Sequence, residues 1–395
     1  MTTAPNAPSG AGLAPGKPAG AGPFRVMLVD DSAVIRGLYT KVLAAEPDIE
    51  IVASVGDGEM AMRQLQRFDV EVTILDIEMP RMDGLTALPK LLEIDPTLQV
   101  VMSSTLTTKN ADISLRALSA GAKDYLPKPT SAGALISAED FKRDLVMKIR
   151  ALGAARRSSG GKARIVQQPA RFSADKRTTP VPLAPKPLMS QNIVLRTADA
   201  KLAPEAIAIG SSTGGPQALL KLLGNLRKDL PQPIFITQHM PATFTPILAE
   251  HLTRVSGWDC REGKDGEPVV PRRIYLAPGN FHMLVEADGT RRVIRLTQTP
   301  PENFCRPSVD PMLRSLAKIY GNRVLVLMLT GMGKDGQAGS DVVVKAGGII
   351  AAQDEASSVV WGMPGAVATA GLCSAVIPID RMAGYLYERA LRPAA

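Results

Sequence analysis

The sequence has few aromatic residues: Phe, Trp and Tyr make up 4% of its 395 residues, although 45% are hydrophobic. Such a composition favours aliphatic cores of the kind found in α/β proteins. The longest apolar runs, such as 324–329, are far shorter than the ~20 residues that a membrane-spanning helix requires. Residues 1–23 are rich in Ala, Gly and Pro and lack the basic and apolar regions of a secretory signal. These absences predict a cytoplasmic protein.

Cysteine and histidine are also scarce, with three residues of each type. Cys260, Cys305 and Cys373 are odd in number and are not paired at metal-ligand spacing, so neither a disulfide framework nor a zinc site is indicated. We therefore expect each cysteine to be buried in a core. The small number of histidines restricts the choice of a general base.

Positive charge is concentrated in one segment. The whole chain has 46 Lys and Arg against 38 Asp and Glu, a net charge of +8. Residues 151–203 contain ten of these basic residues and two acidic ones, which is the same excess, so the remainder is neutral. The segment is also rich in Pro, Ser and Gly, which favours a solvated linker over a nucleic-acid-binding or partner-docking arm. We expect no nucleic acid partner.

The length is too great for one ordinary domain and indicates two or three. We expect two, at residues 24–145 and 204–392, with a disordered extension at 1–23 and a linker at 146–203. In the first domain, apolar runs alternate with helical patterns, which predicts a doubly wound parallel sheet.

Charged and hydroxyl side chains follow several strands of this first domain. Asp30, Asp31 and Asp76 come after the first and third apolar runs, so three carboxylates converge if the strands share one sheet edge. Oxygen ligands of this kind suit Mg²⁺, and an aspartate beside the ion is a reasonable phosphoryl acceptor. Ser104 and Lys128 follow later strands and suit phosphoryl oxygens. The alternative is that the paired aspartates cap a helix and that Lys128 is a surface charge.

These residues together resemble the receiver domain of two-component response regulators, over about residues 24–130. The resemblance rests on Asp30-Asp31, Asp76 with Met79-Pro80 and Asp83-Gly84, Ser104 and Lys128-Pro129. It implies a flavodoxin-like fold with phosphorylation at Asp76 by a histidine kinase. It also implies Mg²⁺ bound by Asp30, Asp31 and Asp76, and a switch role for Ser104 and Lys128.

In the second domain, Ser212, His239 and Asp335 each lie beyond a short apolar run of the β type. Buried parallel strands have such continuous apolar runs, and functional groups gather beyond their carboxyl ends. The pattern predicts a doubly wound α/β domain in which a nucleophile, a base and an acid can meet. Glycines and Pro216 after Ser212 predict a tight turn into a helix, whose N-terminus stabilises negative charge. The alternatives are that the serines cap this helix or that the turn binds a phosphate.

Position favours one histidine and one acid over their rivals. His251 lies on an amphipathic helix and is expected to be exposed, and His282 lies in a turn that could line the site, so His239 is the preferred base. Asp310 is the rival acid, and the following Pro311 indicates a helix cap. Residues 210–214 satisfy the G-x-S-x-G pattern, but the order Ser, His, Asp differs from the α/β-hydrolase order.

Six motifs of this domain together resemble the catalytic domain of chemotaxis protein-glutamate methylesterases (the CheB family). They are Ile-Gly-Ser-Ser-Thr-Gly-Gly (209–215), Ile-Thr-Gln-His-Met-Pro (236–241), Tyr-Leu-Ala-Pro-Gly (275–279), Arg-Pro-Ser-Val-Asp (306–310), Leu-Thr-Gly-Met-Gly-Lys-Asp-Gly (329–336) and Trp-Gly-Met-Pro (361–364). The resemblance implies catalysis by Ser212, His239 and Asp335, an oxyanion hole near the Met332 backbone, and no cofactor for the ester chemistry.

The same resemblance implies hydrolysis of γ-glutamyl methyl esters on chemoreceptors, with release of methanol, and deamidation of receptor glutamines. Contact with the membrane would then occur only through the receptors. It further implies that the unphosphorylated receiver covers the esterase edge. A response regulator with a DNA-binding output is the first alternative, but the sequence of the neutral second domain offers no basic helix that could bind DNA. A module that only binds phosphate is the second, and it would leave His239 and Asp335 without a role.

Overall fold

The computed structural model describes residues 22–128, 138–159, 193–197 and 203–391 of the chain. Residues 1–21 of the predicted extension and most of the predicted linker lie outside the described residues. The described part forms two α/β domains, each built on a fully parallel sheet. The predicted fold class is confirmed for both. None of the helices in the described ranges is long and apolar enough to cross a membrane.

The first domain alternates strands and helices. The elements are β1 Phe24–Val29, α1 Ala33–Leu43, β2 Ile49–Val55, α2 Gly58–Arg67, β3 Val72–Asp76, α3 Gly84–Ile94, β4 Gln99–Ser104, α4 Thr108–Ser119, β5 Asp124–Pro127 and α5 Ala138–Ser158. The five strands form a parallel sheet with the order β2-β1-β3-β4-β5. Helices α2, α3 and α4 each begin after a capping side chain, from Asp57, Asp83 and Thr107, which accepts a hydrogen bond from a backbone N–H group of the first turn.

The predicted boundary between residues 145 and 146 is wrong, because α5 continues through it to Ser158. Beyond the boundary, Ile149 and Leu152 are fully buried in the core of the first domain. Arg156 and Arg157, which the charge count assigned to a solvated linker, form ion pairs with carboxylates of this domain. The last turns of α5 therefore belong to the first domain.

The strands of the second domain are β6 Ala206–Ser211, β7 Ile234–Gln238, β8 Asp259–Glu262, β9 Arg273–Leu276, β10 His282–Asp288, β11 Arg291–Thr297, β12 Val324–Met328, β13 Ile349–Gln353 and β14 Ala375–Ile377. Seven of them form a parallel sheet with the order β14-β13-β12-β6-β7-β9-β8, and β10 and β11 form a separate antiparallel hairpin. The helices of this domain are α6 Gly215–Gly224, α7 Thr245–Ser256, α8 Val309–Tyr320, α9 Gln337–Lys345, α10 Met363–Thr369 and α11 Ile379–Ala390.

Strand β6 lies at the centre of this sheet, between β7 and β12. The register pairs Gly210 with both Met328 and Thr237, so the three strands end side by side. The order of the chain reverses between β6 and β12, and the crevice beyond such a reversal is where open α/β sheets bind their ligands. All three strands are fully buried, which explains their continuous apolar sequences.

The two domains pack against each other through one continuous hydrophobic cluster. Tyr125 of β5 stacks on Phe244 at the start of α7, with ring centroids 4.4 Å apart. Gln217 of α6 donates hydrogen bonds to the carbonyl oxygens of Leu118 and Ala122 in the first domain. This interface lies on the same side of the second domain as the end of β6.

Candidate active site

Ser212 follows β6 and is half-buried at the turn into α6. Its backbone N–H donates to the Thr330 carbonyl at 3.0 Å, and its carbonyl accepts from Gly215 at 2.7 Å. Gly214, which precedes α6, has a φ of 75°, a conformation that favours glycine. The turn thus holds the Ser212 backbone in place beside the N-terminus of α6.

The loop after β12 passes directly against this turn. A Cβ atom on Gly331 would lie 2.9 Å from the Cβ of Ser212, which explains why glycine occupies the position. Met332 follows Gly331, and its backbone N–H has no hydrogen-bond partner among the described residues. A donor of this kind is available to an oxyanion formed next to Ser212.

His239 and Asp335 form a hydrogen-bonded pair at the same sheet edge, with His239 Nε2 2.7 Å from Asp335 Oδ2. Burial opposes ionisation of Asp335, but His239 and neighbouring donors outweigh it and lower the pKa of Asp335 to about 2. The carboxylate accepts five further hydrogen bonds, from the backbone N–H groups of Val309, Asp310 and Gly336 and the side chains of Ser308 and Asn303.

The other ring nitrogen of His239 faces a cysteine. Nδ1 lies 3.4 Å from Cys305 Sγ, and among the described residues no hydrogen bond joins the Ser212 hydroxyl to His239. Burial lowers the pKa of His239, but the sulfur of Cys305 and the carboxylate of Asp335 outweigh burial and raise that pKa well above its usual range. The expectation that Cys305 is buried in a core is wrong, since it is half-buried at this site.

The rival residues have structural partners. His282 begins β10 and is fully buried; its Nδ1 accepts from the Ser308 N–H and its Nε2 bonds to the Pro300 carbonyl. Asp310 lies in the first turn of α8 and accepts from the Gly339 N–H at 2.6 Å, so it does not cap its own helix as predicted. Its bond reaches α9 because α8 and α9 pack together.

His251 is not exposed, contrary to the prediction. Only 12% of its side chain is accessible, and its Nε2 lies 3.1 Å from Asp112 Oδ1 of the first domain. The sequence pattern of α7 is amphipathic, but the first domain covers the polar face on which His251 lies.

The first domain contains the predicted carboxylate cluster. Ligand oxygens of Asp30, Asp31 and Asp76 all lie within 4.8 Å of one another. Lys128 Nζ is 2.9 Å from Asp30 Oδ2 and 2.7 Å from Asp76 Oδ2. Convergent carboxylate oxygens fit Mg²⁺, which prefers such ligands. Burial raises the pKa of Asp76 to about 6 despite the opposing effect of Lys128.

Ser104 ends β4 in the same domain, and its hydroxyl lies 3.2 Å from that of Ser114 in α4. Both side chains are buried. Ser104 therefore links the edge that carries the carboxylates to the helix that faces the second domain.

The first domain also touches the turn that carries Ser212. Thr213 donates from its hydroxyl to Asp124 Oδ2 at 2.6 Å, and both side chains are buried. Lys148 of α5 pairs with the same carboxylate at 3.2 Å. Val360 is part of the hydrophobic cluster of the first domain, and Met332 packs against that cluster. The first domain thus lies over the edge where the candidate nucleophile and the candidate oxyanion donor are found.

Both domains match protein-family models. Residues 26–139 match the response regulator receiver domain, and residues 207–386 match the CheB methylesterase. The chain is 58% identical to protein-glutamate methylesterase/protein-glutamine glutaminase 1 of Paramagnetospirillum magneticum, over 93% of the chain and 97% of that protein. It is 55% identical to the protein of the same activity from Azospirillum brasilense, over 99% of the chain and 98% of that protein. The chain belongs to the CheB methylesterase family.

The first domain is therefore a receiver domain, and the second is a methylesterase domain of a hydrolase family. The chain is also similar to the crystal structure of the Thermotoga maritima CheB methylesterase catalytic domain, at 39% identity with a TM-score of 0.46, over 47% of the chain and 99% of that structure.

Sequence reasoning missed three side chains of the methylesterase site. Gln238, at the end of β7, donates to the carbonyls of both Ser212 and His239, at 3.0 and 3.2 Å, so one amide joins the two strand ends. Thr213 and Cys305 contact the receiver domain and His239, respectively. Gln238 and Thr213 adjoin predicted residues in the motifs, and Cys305 directly precedes the 306–310 motif. These positions were the available signal.

Asp76→Asn is expected to stabilise the receiver domain at neutral pH in the absence of metal. The pKa of Asp76 is raised from 3.8 to about 6, so ionising this carboxyl costs the folded state about 2 to 3 kcal/mol above that pH. The cost disappears as the pH falls below the unfolded pKa, where Asp76 is protonated in both states. The gain should therefore be full at about pH 8 and vanish near pH 4.

Calorimetry of the full chain in a metal-free buffer would measure this gain as a rise in the unfolding temperature of the receiver domain. Glu78→Gln removes an exposed charge two positions away and is the matched control. A gain equal at both pH values, or equal in the control, would contradict the prediction.

Proposed function

We propose that the chain hydrolyses γ-glutamyl methyl esters of chemoreceptors by a Ser212–His239–Asp335 mechanism and also deamidates receptor glutamines. The observation that carries the proposal is the His239–Asp335 pair, which lies at the same sheet edge as Ser212 beyond β6, β7 and β12. The names of the two relatives, protein-glutamate methylesterase/protein-glutamine glutaminase, support the choice of substrate groups.

His239 Nδ1 accepts the proton of Ser212 in this mechanism, because Nε2 is held by Asp335. Ser212 Oγ attacks the ester carbonyl, and the resulting oxyanion accepts hydrogen bonds from backbone donors such as the Met332 N–H. The tetrahedral intermediate collapses as His239 returns the proton to the leaving methoxy group. Methanol departs, and water, activated by the same imidazole, hydrolyses the glutamyl ester of Ser212. An amide substrate follows the same steps and releases ammonia.

Methanol release from membranes that carry methylated receptors tests the esterase activity. Conversion of glutamine to glutamate in an unmethylated receptor, followed by mass spectrometry, tests the deamidase activity. Absence of both products with the phosphorylated protein would overturn the proposed function.

We also propose that phosphorylation of Asp76 by a histidine kinase activates the esterase by releasing the receiver domain. Asp30, Asp31 and Asp76 would hold Mg²⁺, which neutralises charge on phosphoryl oxygens. In support, a phosphoryl group on Asp76 would add anionic oxygens beside Lys128, whose ammonium now lies between two carboxylates.

A path from Asp76 to the interface exists through Ser104 and α4. The Ser104 hydroxyl is now hydrogen-bonded to that of Ser114 in α4. A phosphoryl oxygen at the neighbouring strand end could instead accept a hydrogen bond from Ser104. Helix α4 carries Leu118, whose carbonyl accepts from Gln217 of the methylesterase domain. A change in α4 would thus weaken the contacts that cover the esterase edge and shift the population toward separated domains.

A small acyl phosphate with Mg²⁺ is expected to raise the esterase rate of the full chain about 5- to 150-fold, the usual range of coupling between two sites. Asp76→Asn should remove this response because it lacks the phosphoryl acceptor, whereas Glu78→Gln should keep it. An unchanged wild-type rate, or equal activation of Asp76→Asn, would refute the coupling in a methanol-release assay.

A further inference from the structure

The imidazole of His239 has no free nitrogen in this arrangement. Nε2 is bonded to Asp335, whose position is fixed by five other donors, so this nitrogen cannot turn toward Ser212 without breaking a dense network. Nδ1 is the nitrogen left for the nucleophile, and Cys305 Sγ lies 3.4 Å from it. An imidazole nitrogen forms one hydrogen bond at a time, as an acceptor when it is neutral and as a donor when it is protonated, so the sulfur of Cys305 and the hydroxyl of Ser212 compete for Nδ1.

The loop that carries Cys305 is hydrogen-bonded to Asp335 as well as to His239. Asn303 Nδ2 donates to Asp335 and to Asp310, both at 2.9 Å. Asn303 and Phe304 have φ values of 52° and 63°, which are unfavourable for residues with a Cβ and persist only where surrounding contacts hold them. The backbones of Glu302 and Cys305 exchange two hydrogen bonds across this short turn.

The receiver domain contacts the same loop. The guanidinium of Arg143 in α5 lies over the ring of Phe304, 4.3 Å from its centroid. Phe304 is 74% exposed with Arg143 in place, and Arg143 provides a cation–π contact that is lost when the domains separate. The loop therefore links the docked receiver domain to the nitrogen that must serve Ser212.

We propose that Cys305 is a positioning residue that keeps His239 Nδ1 from Ser212 while the receiver domain is docked, and that the Arg143–Phe304 contact maintains this hold. The inference rests on the proposed roles of Ser212 and His239. Inhibition then has two components. The receiver domain covers the sheet edge that carries Ser212, and the Cys305 sulfur contacts the His239 nitrogen that would serve as the base.

The electrostatic surroundings of His239 agree with this arrangement. Cys305 and Asp335 face its two nitrogens, while Asp310 and His282 interact with Asp335 from further back. Burial opposes protonation of His239, but Cys305 and Asp335 together raise its pKa well above the usual range. A protonated imidazole cannot accept the Ser212 proton. Loss of the Cys305 sulfur therefore favours the neutral form of His239, which can accept it.

Labelling of Ser212 by a small fluorophosphonate tests the proposal, because a small probe reaches a half-buried serine without a receptor. In the labelling step the Ser212 oxygen bonds to phosphorus, fluoride leaves and His239 takes the proton. With the unphosphorylated full chain, Cys305→Ala is expected to label about three- to tenfold faster than the wild type, the worth of one hydrogen bond. Cys305→Ser restores a donor and should return the rate toward the wild-type value.

The pH dependence separates competition from a general loosening of the loop. The pH of half-maximal labelling should fall in Cys305→Ala, because one of the two groups that raise the pKa of His239 is gone. Arg143→Ala should also label faster, whereas Lys142→Ala, which removes a neighbouring charge that pairs with Glu46 inside the receiver domain, should not.

Labelling of Cys305→Ala at or below the wild-type rate, with an unchanged pH profile, would overturn the proposal. Failure of the proposed function has a different signature. If Ser212→Ala is still labelled as fast as the wild type, Ser212 is not the activated serine, whereas loss of labelling in Ser212→Ala with no change in Cys305→Ala refutes the role of the thiol alone.

Discussion

Ser212→Ala is expected to lower the rate of ester hydrolysis by about 10⁴-fold or more, as removal of the nucleophile does in other serine hydrolases. Neither neighbouring hydroxyl of the turn can replace that of Ser212. Ser211 is fully buried with its hydroxyl 2.7 Å from Gln238, and the hydroxyl of Thr213 is bonded to Asp124. The residual rate would come from oxyanion donors and substrate binding alone. Methanol release from methylated receptors, measured with the phosphorylated protein, gives the ratio.

Ser211→Ala is the matched control, because it removes the adjacent hydroxyl in the same strand end. It breaks the bond to Gln238, which still donates to Ser212 and His239, so a loss below about tenfold is expected for one buried hydrogen bond. The deamidase activity should fall in parallel with the esterase activity in Ser212→Ala. A Ser212→Ala protein that retains a tenth of the wild-type esterase rate would exclude the acyl-enzyme mechanism.

The strand ends of both sheets could be predicted because they depend on local sequence. Buried parallel strands are short apolar runs, and a polar residue just beyond such a run lies at the carboxyl edge of the sheet. Asp30, Asp76, Ser212 and His239 were found by this rule. Asp335 lies seven residues beyond Met328, and a glycine-containing loop was the only local indication that it returns to the edge.

The end of the receiver domain could not be predicted in this way. Residues 146–158 contain apolar and basic side chains, and the basic ones look solvated when they are counted alone. Two of their partners, Asp69 and Glu71, lie more than 80 positions away in sequence, so these ion pairs of Arg156 and Arg157 form only in the folded domain.

Contacts between the domains could not be predicted from the sequence either. His251 lies on the polar face of an amphipathic helix, and an isolated helix of this kind would expose it. The partner Asp112 comes from another domain, 139 positions away. Cys305 illustrates the same limit within one domain, because its approach to His239 depends on a turn with two residues of positive φ that no common motif announces.

Asp335→Asn is expected to lower the esterase rate by about 10³- to 10⁴-fold, because the acid determines which nitrogen of His239 carries the proton. In the neutral imidazole the proton lies on Nε2 and is donated to the carboxylate, which leaves Nδ1 without a proton and able to act as a base. An amide cannot reproduce this pattern in either orientation. Oδ2 accepts from His239 and Val309, and Oδ1 accepts from four other donors, so an NH₂ group at either position would face donors.

Asp310→Asn is the matched control for this substitution, since Asp310 also bonds to Asn303 but has no contact with His239. It should reduce the esterase rate far less than Asp335→Asn does. Calorimetry of both variants separates loss of stability from loss of catalysis, because each leaves buried donors unmatched. In Asp335→Asn the pKa of His239 should also fall, since the carboxylate is one of the groups that raise it. A folded Asp335→Asn protein within tenfold of the wild-type rate would show that His239 is oriented without Asp335.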